Sequence, residues 1–78
     1  MIPIEKAFGI TVRKLRTRLG LSQEDFADKA GIHRTYVSAI ELGKVQVSIA
    51  VAMKLAMALE VSVAKLWTDV EKAMRSST

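Results

Sequence analysis

Cysteine is absent from this chain of 78 residues, and proline occurs once. Without a thiol, neither a disulfide framework nor a thiolate metal site can form. Glycine is scarce as well, with four residues, so a fold that depends on many tight turns is disfavoured. Because 50% of the residues are hydrophobic, the chain is not a disordered one, and helices fit these shortages best.

Catalytic and metal-binding patterns are also missing. His33 is the only histidine, and no cluster of carboxylates at ligand spacing accompanies it, so we expect no metal and no cofactor. No glycine-rich phosphate loop is present, and no nucleophile can be matched with a base and an orienting group. We therefore expect neither an enzyme nor a binder of small molecules.

Segments that would direct the chain to a membrane are lacking too. The N-terminus has no basic region followed by a long apolar run, which a signal peptide needs. The apolar stretch from Val45 to Leu59 contains Lys54 and is shorter than the about 20 residues that cross a bilayer. The sequence therefore predicts a cytoplasmic protein without a membrane partner.

Positive charge is in excess. Lysine and arginine number 12 against 8 aspartate and glutamate, which gives a formal net charge of +4. Polyanions, and nucleic acid above all, are natural partners of such a chain. The charge indicates a class of partner and does not by itself identify one.

Apolar spacing predicts five helices in a single domain that spans residues 1–78. The first helix begins near Pro3, which suits a first helical position, and ends at Gly20. Its apolar face repeats at intervals of three and four residues: Ile4, Phe8, Val12, Leu15 and Leu19. No internal repeat or flexible linker divides the chain, so we predict one all-α unit.

Two short helices joined by a glycine turn follow. Ser22 is the predicted N-cap of a helix that starts at Gln23 and has about eight residues. Gly31 suits the left-handed position after that helix. The next helix runs from about His33 to Glu41.

Serine also marks the start of the last two helices. A fourth helix, capped by Ser48, runs to about Leu59. A fifth, capped by Ser62, runs toward Met74, and we expect residues 75–78 to fray.

The predicted fourth helix is apolar nearly all round, because Lys54 is its only charged residue. A single face cannot bury all of it. The expected core residues are Ile49, Ala52, Leu55, Ala56 and Leu59. A second stripe remains, formed by Ala50, Met53 and Met57, and we expect it to be a homodimer interface that Trp67 completes. The alternative for Trp67 is that it closes the core of the monomer.

The segments "GLSQEDFA", "RTYVSAIE" and "LAMALEVSVAKLW" stand at fixed offsets along the chain. Together they resemble the helix-turn-helix region of the XRE family, the group that contains phage Cro and the lambdoid repressors. The likeness extends from about Phe8 to Trp67. It implies a compact lambda-repressor-like fold of five helices, with the helix-turn-helix at about residues 22–42 and dimerisation helices at about 48–74.

The resemblance also implies roles for single residues. The third helix becomes the recognition helix in the major groove of double-stranded DNA, where Arg34, Thr35 and Ser38 would read bases. The residues expected to hold the DNA backbone are Gln23, Tyr36, Lys44, Gln46 and Ser48. Tyr36 could instead pack within the protein, and Gln46-Val47 replaces the Asn-Pro frequent in the family. An ion pair between Arg16 and Glu41 is expected to fix the recognition helix.

The function implied is that of a sequence-specific transcriptional regulator in the cytoplasm of a bacterium or phage host, associated with the nucleoid. Its short length and "HRTYVSAIE" look most like the controller proteins of restriction-modification systems, which are dimers that regulate their own operon. A dimer would read an inverted repeat with half-sites about 10 base pairs apart. The alternatives are a compact phage repressor, an antitoxin whose apolar stripe faces a toxin, and a helical interaction domain without DNA binding.

Overall fold

A computed structural model of the chain describes residues 1–76. Five α-helices and no strand occur in these residues, which confirms the predicted all-α class. The helices are α1 (Ile4–Arg18), α2 (Gln23–Ala30), α3 (Arg34–Glu41), α4 (Ile49–Ala58) and α5 (Val63–Ser76). Within this range, no helix is both long enough and apolar enough to cross a membrane.

Serine side chains begin three of the helices. Each hydroxyl accepts a hydrogen bond from the backbone N–H three residues further on, at 3.0 Å for Ser22, 3.1 Å for Ser48 and 3.0 Å for Ser62. These bonds satisfy N–H groups that have no partner within the helix. The three predicted N-caps are confirmed.

A residue in the left-handed backbone conformation follows each of the first four helices. Three are glycines and the fourth is a glutamate: Gly20, Gly31, Gly43 and Glu60. At Gly31, with φ of 71°, the N–H groups of the turn close back onto the carbonyl oxygens of Ala27 and Asp28. Glycine has no Cβ and adopts this conformation freely, so α2 and α3 can be joined by a very short turn. Glu60, with φ of 61°, adopts it against the preference of an L side chain.

The core contains side chains from all five helices. Its largest fully buried members are Phe26, Ile40, Leu55, Leu66, Val12, Val37 and Val70. Helix α1 packs against both α5 and α3, and α2 packs against α3 and α4. The first helix therefore connects the helix-turn-helix to the C-terminal helix.

The backbone of α1 lies close to the C-terminal end of α3 at Gly9, which is buried. A Cβ at this position would overlap the carbonyl oxygen of Ile40 and would lie 2.7 Å from that of Glu41. Only glycine fits without displacing one of the two helices. The close approach brings Glu41, the last residue of α3, within reach of the side chains of α1.

Arg16 of α1 holds Glu41 through two hydrogen bonds. Nε of Arg16 lies 2.6 Å from Oε2, and Nη2 lies 3.0 Å from Oε1. Nη1 donates to the carbonyl oxygen of Leu21 at 2.7 Å. The two side chains are 10% and 3% exposed. The hydrogen bond to Glu41 raises the pKa of Arg16, while burial acts in the opposite direction.

Two expectations about α4 and α5 are wrong. Ile49 was expected in the core and is 89% exposed. It occupies the first turn of α4, at the edge of the core face and next to the stripe that contains Met53. Helix α5 continues through Ser76, so Arg75 and Ser76 do not fray, and Arg75 pairs with Glu71 one turn earlier at 3.6 Å. Ser77 and Thr78, the rest of that expected frayed end, lie outside the described residues.

Breaking the Arg16–Glu41 pair should destabilise the fold strongly. Arg16→Met should lower the free energy of unfolding by about 3 kcal/mol in urea titrations, because it leaves a buried carboxylate without its cation. Arg18→Met, a control at an exposed arginine two residues on, should change it by less than about 0.5 kcal/mol. Arg16→Met with Glu41→Met should recover most of the loss. An unchanged urea midpoint in Arg16→Met would show that the pair does not stabilise the protein.

Glu60→Gly should raise the Tm by about 4 °C, because glycine relieves the left-handed backbone. The gain is partly offset at neutral pH by loss of the 2.7 Å contact between Lys29 Nζ and Glu60. This hydrogen bond lowers the pKa of Glu60, so the pair stabilises the wild type above the unfolded-state pKa and is lost as pH falls through the folded-state pKa. The rise in Tm should therefore be larger in acid. Lys29→Met, which removes the pair alone, should show no rise at any pH.

Candidate nucleic-acid interface

Helix α3 is anchored by one face and exposed on the other. Val37 and Ile40 are buried against α1 and α2. Arg34 and Thr35 are exposed, and Ser38 is half-buried. Because residues three and four apart share a helix face, Thr35 and Arg34 both lie beside Ser38 on the outer surface. The structure thus brings the three expected base-reading residues to one face.

Tyr36 lies between the two faces of α3. Its side chain is half-buried and packs against the core cluster. The ring of Tyr36 therefore packs within the protein, as in the alternative given for it above. Packing of the ring is compatible with a phosphate contact through the hydroxyl, since tyrosine is apolar at one end and polar at the other.

His33 precedes α3 as its N-cap. Its Nδ1 accepts a hydrogen bond from the backbone N–H of Thr35 at 3.3 Å, and the Thr35 hydroxyl lies 2.8 Å from the same nitrogen. Sequence reasoning placed His33 at the start of the helix and gave it no part in the site. A histidine at an N-cap position with threonine two residues on is the signal that would have indicated the contact.

Gln23 joins the buried ion pair. Its Nε2 donates to Oε1 of Glu41 at 3.1 Å, so one residue of α2 and one of α1 hold the same carboxylate. The expected phosphate contact of Gln23 would use its second amide hydrogen together with the free N–H groups of the first turn of α2. The side chain is fixed where α2 begins, beside the end of α3.

The loop between α3 and α4 carries the other expected backbone contacts. Lys44 is exposed. The Ser48 hydroxyl is already engaged as the cap of α4. Gln46 donates from Nε2 to Oε2 of Glu5 at 2.7 Å, and this hydrogen bond lowers the pKa of Glu5. A carboxylate beside Gln46 disfavours a phosphate there, so Lys44 is the side chain of this loop best suited to one.

Helix α4 presents an apolar stripe to the surface. Ala50 is exposed, and Met53, Met57 and Ile49 are 50%, 70% and 89% exposed. The stripe predicted from the sequence is thus on the surface, and Ile49 enlarges it. We call these four residues the α4 stripe.

Trp67 does not belong to the α4 stripe and packs against α1 instead. It is half-buried, and its ring centroid is 5.6 Å from that of Phe8 on α1, with 43° between the ring planes. It lines a cavity of about 170 Å³ together with Ile4, Val45 and Val47, among others. The ring contact supports the alternative that Trp67 closes the monomer core.

Across residues 1–76, no group of three or more histidine, aspartate or glutamate side chains is placed to hold a metal ion. The outer face of α3 offers donors and acceptors, an arginine fork and two hydroxyls, which suits it to recognition of a polar surface.

Comparison with known proteins identifies relatives that match most of the chain. The helix-turn-helix family model HTH_3 matches residues 12–66. Control protein C.MunI from a Mycoplasma species is 40% identical over 73 residues, which is 92% of this chain and 99% of that protein.

Solved structures agree with this assignment. The restriction-modification controller protein C.AhdI from Aeromonas hydrophila is 42% identical, with a TM-score of 0.77 over 80% of this chain and 94% of that one. The controller protein C.Esp1396I, solved as a tetramer in complex with its natural 35-base-pair operator, is 27% identical, with a TM-score of 0.85 over 94% of this chain and 96% of that one. The chain belongs to the helix-turn-helix family, and within it is related to the controller proteins of restriction-modification systems.

Proposed function

We propose that this chain is a controller-type transcriptional regulator that binds operator DNA as a homodimer and acts by binding rather than by catalysis. The observation that carries the proposal is the outer face of α3, where Arg34, Thr35 and Ser38 lie together on a helix held at its far end by Arg16 and Glu41. The complex of the similar protein C.Esp1396I with its operator supports it. A regulator of this kind acts where the DNA lies, in the cytoplasm.

Sequence would be read from the N-terminal half of α3. Arg34 has a planar fork of donors that matches O6 and N7 of guanine in the major groove. Thr35 and Ser38 supply hydroxyls that can bond to base edges. Because the buried ion pair fixes the opposite end of α3, these side chains enter the groove from a preset direction.

The DNA backbone would be held on both sides of α3. The first turn of α2 offers free N–H groups and the amide of Gln23. Lys44, in the loop that follows α3, and the hydroxyl of Tyr36, in the first turn of α3, would contact further phosphates. Such contacts position the protein without reading sequence, and they weaken as salt rises.

A second copy of the chain would cover the α4 stripe. Monomeric proteins rarely expose a continuous apolar surface that contains several large side chains. A two-fold pair built on this surface would set two copies of α3 about 34 Å apart, which fits half-sites one turn of DNA apart. The whole of residues 1–78 would then act as one domain, with α4 and α5 on the side of the dimer. The relatives are named as controller proteins, so the antitoxin alternative is not favoured.

Removal of the arginine fork should weaken specific binding and relax its selectivity. In mobility-shift titrations on DNA from upstream of its own gene, Arg34→Ala should weaken specific binding at least tenfold and relax the preference for one G·C pair. Arg18→Ala loses the same charge from the side of α1 that faces α5, and should weaken binding less than twofold. Both variants should show wild-type circular dichroism. Wild-type protein that shifts no fragment selectively would contradict the proposed function.

A charge in the α4 stripe should separate the dimer. Sedimentation equilibrium at about 20 μM should give a dimer for the wild type and a monomer for Met57→Lys, because an interface core excludes an unpaired charge. Leu42→Lys, at an apolar residue that is 60% exposed outside α4, should remain dimeric. A dimeric Met57→Lys protein would place the interface elsewhere.

A further inference from the structure

His33 and Thr35 form a hydrogen-bonded pair at the tip of the recognition helix. Nδ1 of His33 lies 3.3 Å from the backbone nitrogen of Thr35 and 2.8 Å from its Oγ1. A backbone N–H can only donate, so Nδ1 must carry a lone pair. The proton of the neutral imidazole is therefore on Nε2.

The state of Nδ1 determines what the Thr35 hydroxyl can do. A hydroxyl has one hydrogen to donate and two lone pairs that accept. Opposite a nitrogen that only accepts, Thr35 must direct its hydrogen toward His33. The Thr35 side chain is exposed, and its Oγ1 offers the solvent, or a bound base, lone pairs alone.

The major-groove edges of the four bases respond differently to such an acceptor. Adenine and cytosine present amino groups there, at N6 and N4, that donate hydrogen bonds. Guanine presents only acceptors, at O6 and N7, and thymine presents O4 beside a methyl group. An oxygen that can only accept a hydrogen bond therefore bonds to adenine or cytosine. Opposite guanine or thymine it faces lone pairs.

We infer that His33 fixes Thr35 as a hydrogen-bond acceptor and so gives the operator position that Thr35 reads a preference for adenine or cytosine. His33 is a positioning residue, since it acts through Thr35. The inference rests on the proposed DNA binding by α3 and adds to it a determinant of base specificity.

One test needs no DNA. Because the chain contains a single histidine, the ¹⁵N resonances of its imidazole are unambiguous in the full-length protein. At about pH 8 we expect Nδ1 without a proton and Nε2 with one, and Thr35→Val should move the Nδ1 resonance toward that of a free acceptor. A proton on Nδ1, or a resonance that Thr35→Val leaves unchanged, would overturn the inference.

A second test measures base preference in operator variants. Thr35→Val should abolish the base preference at one operator position, which identifies the position that Thr35 reads. At that position the wild type should favour adenine or cytosine by about threefold to tenfold, the range that one hydrogen bond supplies. His33→Gly keeps a tolerated N-cap residue but removes the acceptor, and should reduce the preference at least twofold. His33→Asn, whose carbonyl can accept both bonds, should restore it.

The outcomes of the second test separate the inference from the proposed function. In a Thr35→Val background, His33→Gly should change base preference no further. A preference for guanine or thymine at this position, or full wild-type preference in a folded His33→Gly protein, would overturn the inference and leave DNA binding by α3 in place. A wild-type protein that binds no operator selectively would contradict both the inference and the proposed function.

Discussion

The buried pair of Arg16 and Glu41 is the contact on which the arrangement of this molecule depends. It attaches the last residue of α3 to the last turn of α1, and Gln23 at the start of α2 donates to the same carboxylate. Three helices thereby meet at one group that is almost completely removed from water. Because α1 also packs along α5, the position of the recognition helix is defined relative to the opposite side of the fold.

Much of the helical framework could be predicted because its signals are local. Ser22, Ser48 and Ser62 lie one residue before the helices that they cap, and the geometry of a cap involves only the next three residues. Ile49 was misplaced because a residue at the edge of an apolar face can turn either way, and only its tertiary neighbours decide. The extent of α5 was missed for a related reason, since pairing one turn apart can continue a helix where apolar periodicity has ended.

The candidate site was predictable as a face and less so as a set of contacts. The spacing of Arg34, Thr35 and Ser38 places them together on any helix, so that part needed no structure. The contact of Gln46 with Glu5 joins residues 41 positions apart, and nothing local in either segment indicates it. The bond between His33 and Thr35 depends on side-chain torsions and on which ring nitrogen holds the proton, and neither is encoded in a residue type.

The absence of a side chain at Gly9 leaves α1 and α3 in direct backbone contact. Two helices that meet without an intervening side chain have little compliance, because close-packed atoms transmit a displacement instead of absorbing it. In a symmetric pair of such chains, each recognition helix would keep a fixed position relative to its own α1, and the span between the two helices would then depend on the interface alone. A single base pair added between half-sites turns one of them by about 35° around the DNA axis. A stiff protein would transfer that mismatch to the DNA as twist, and so would measure the spacing of its target as well as its sequence.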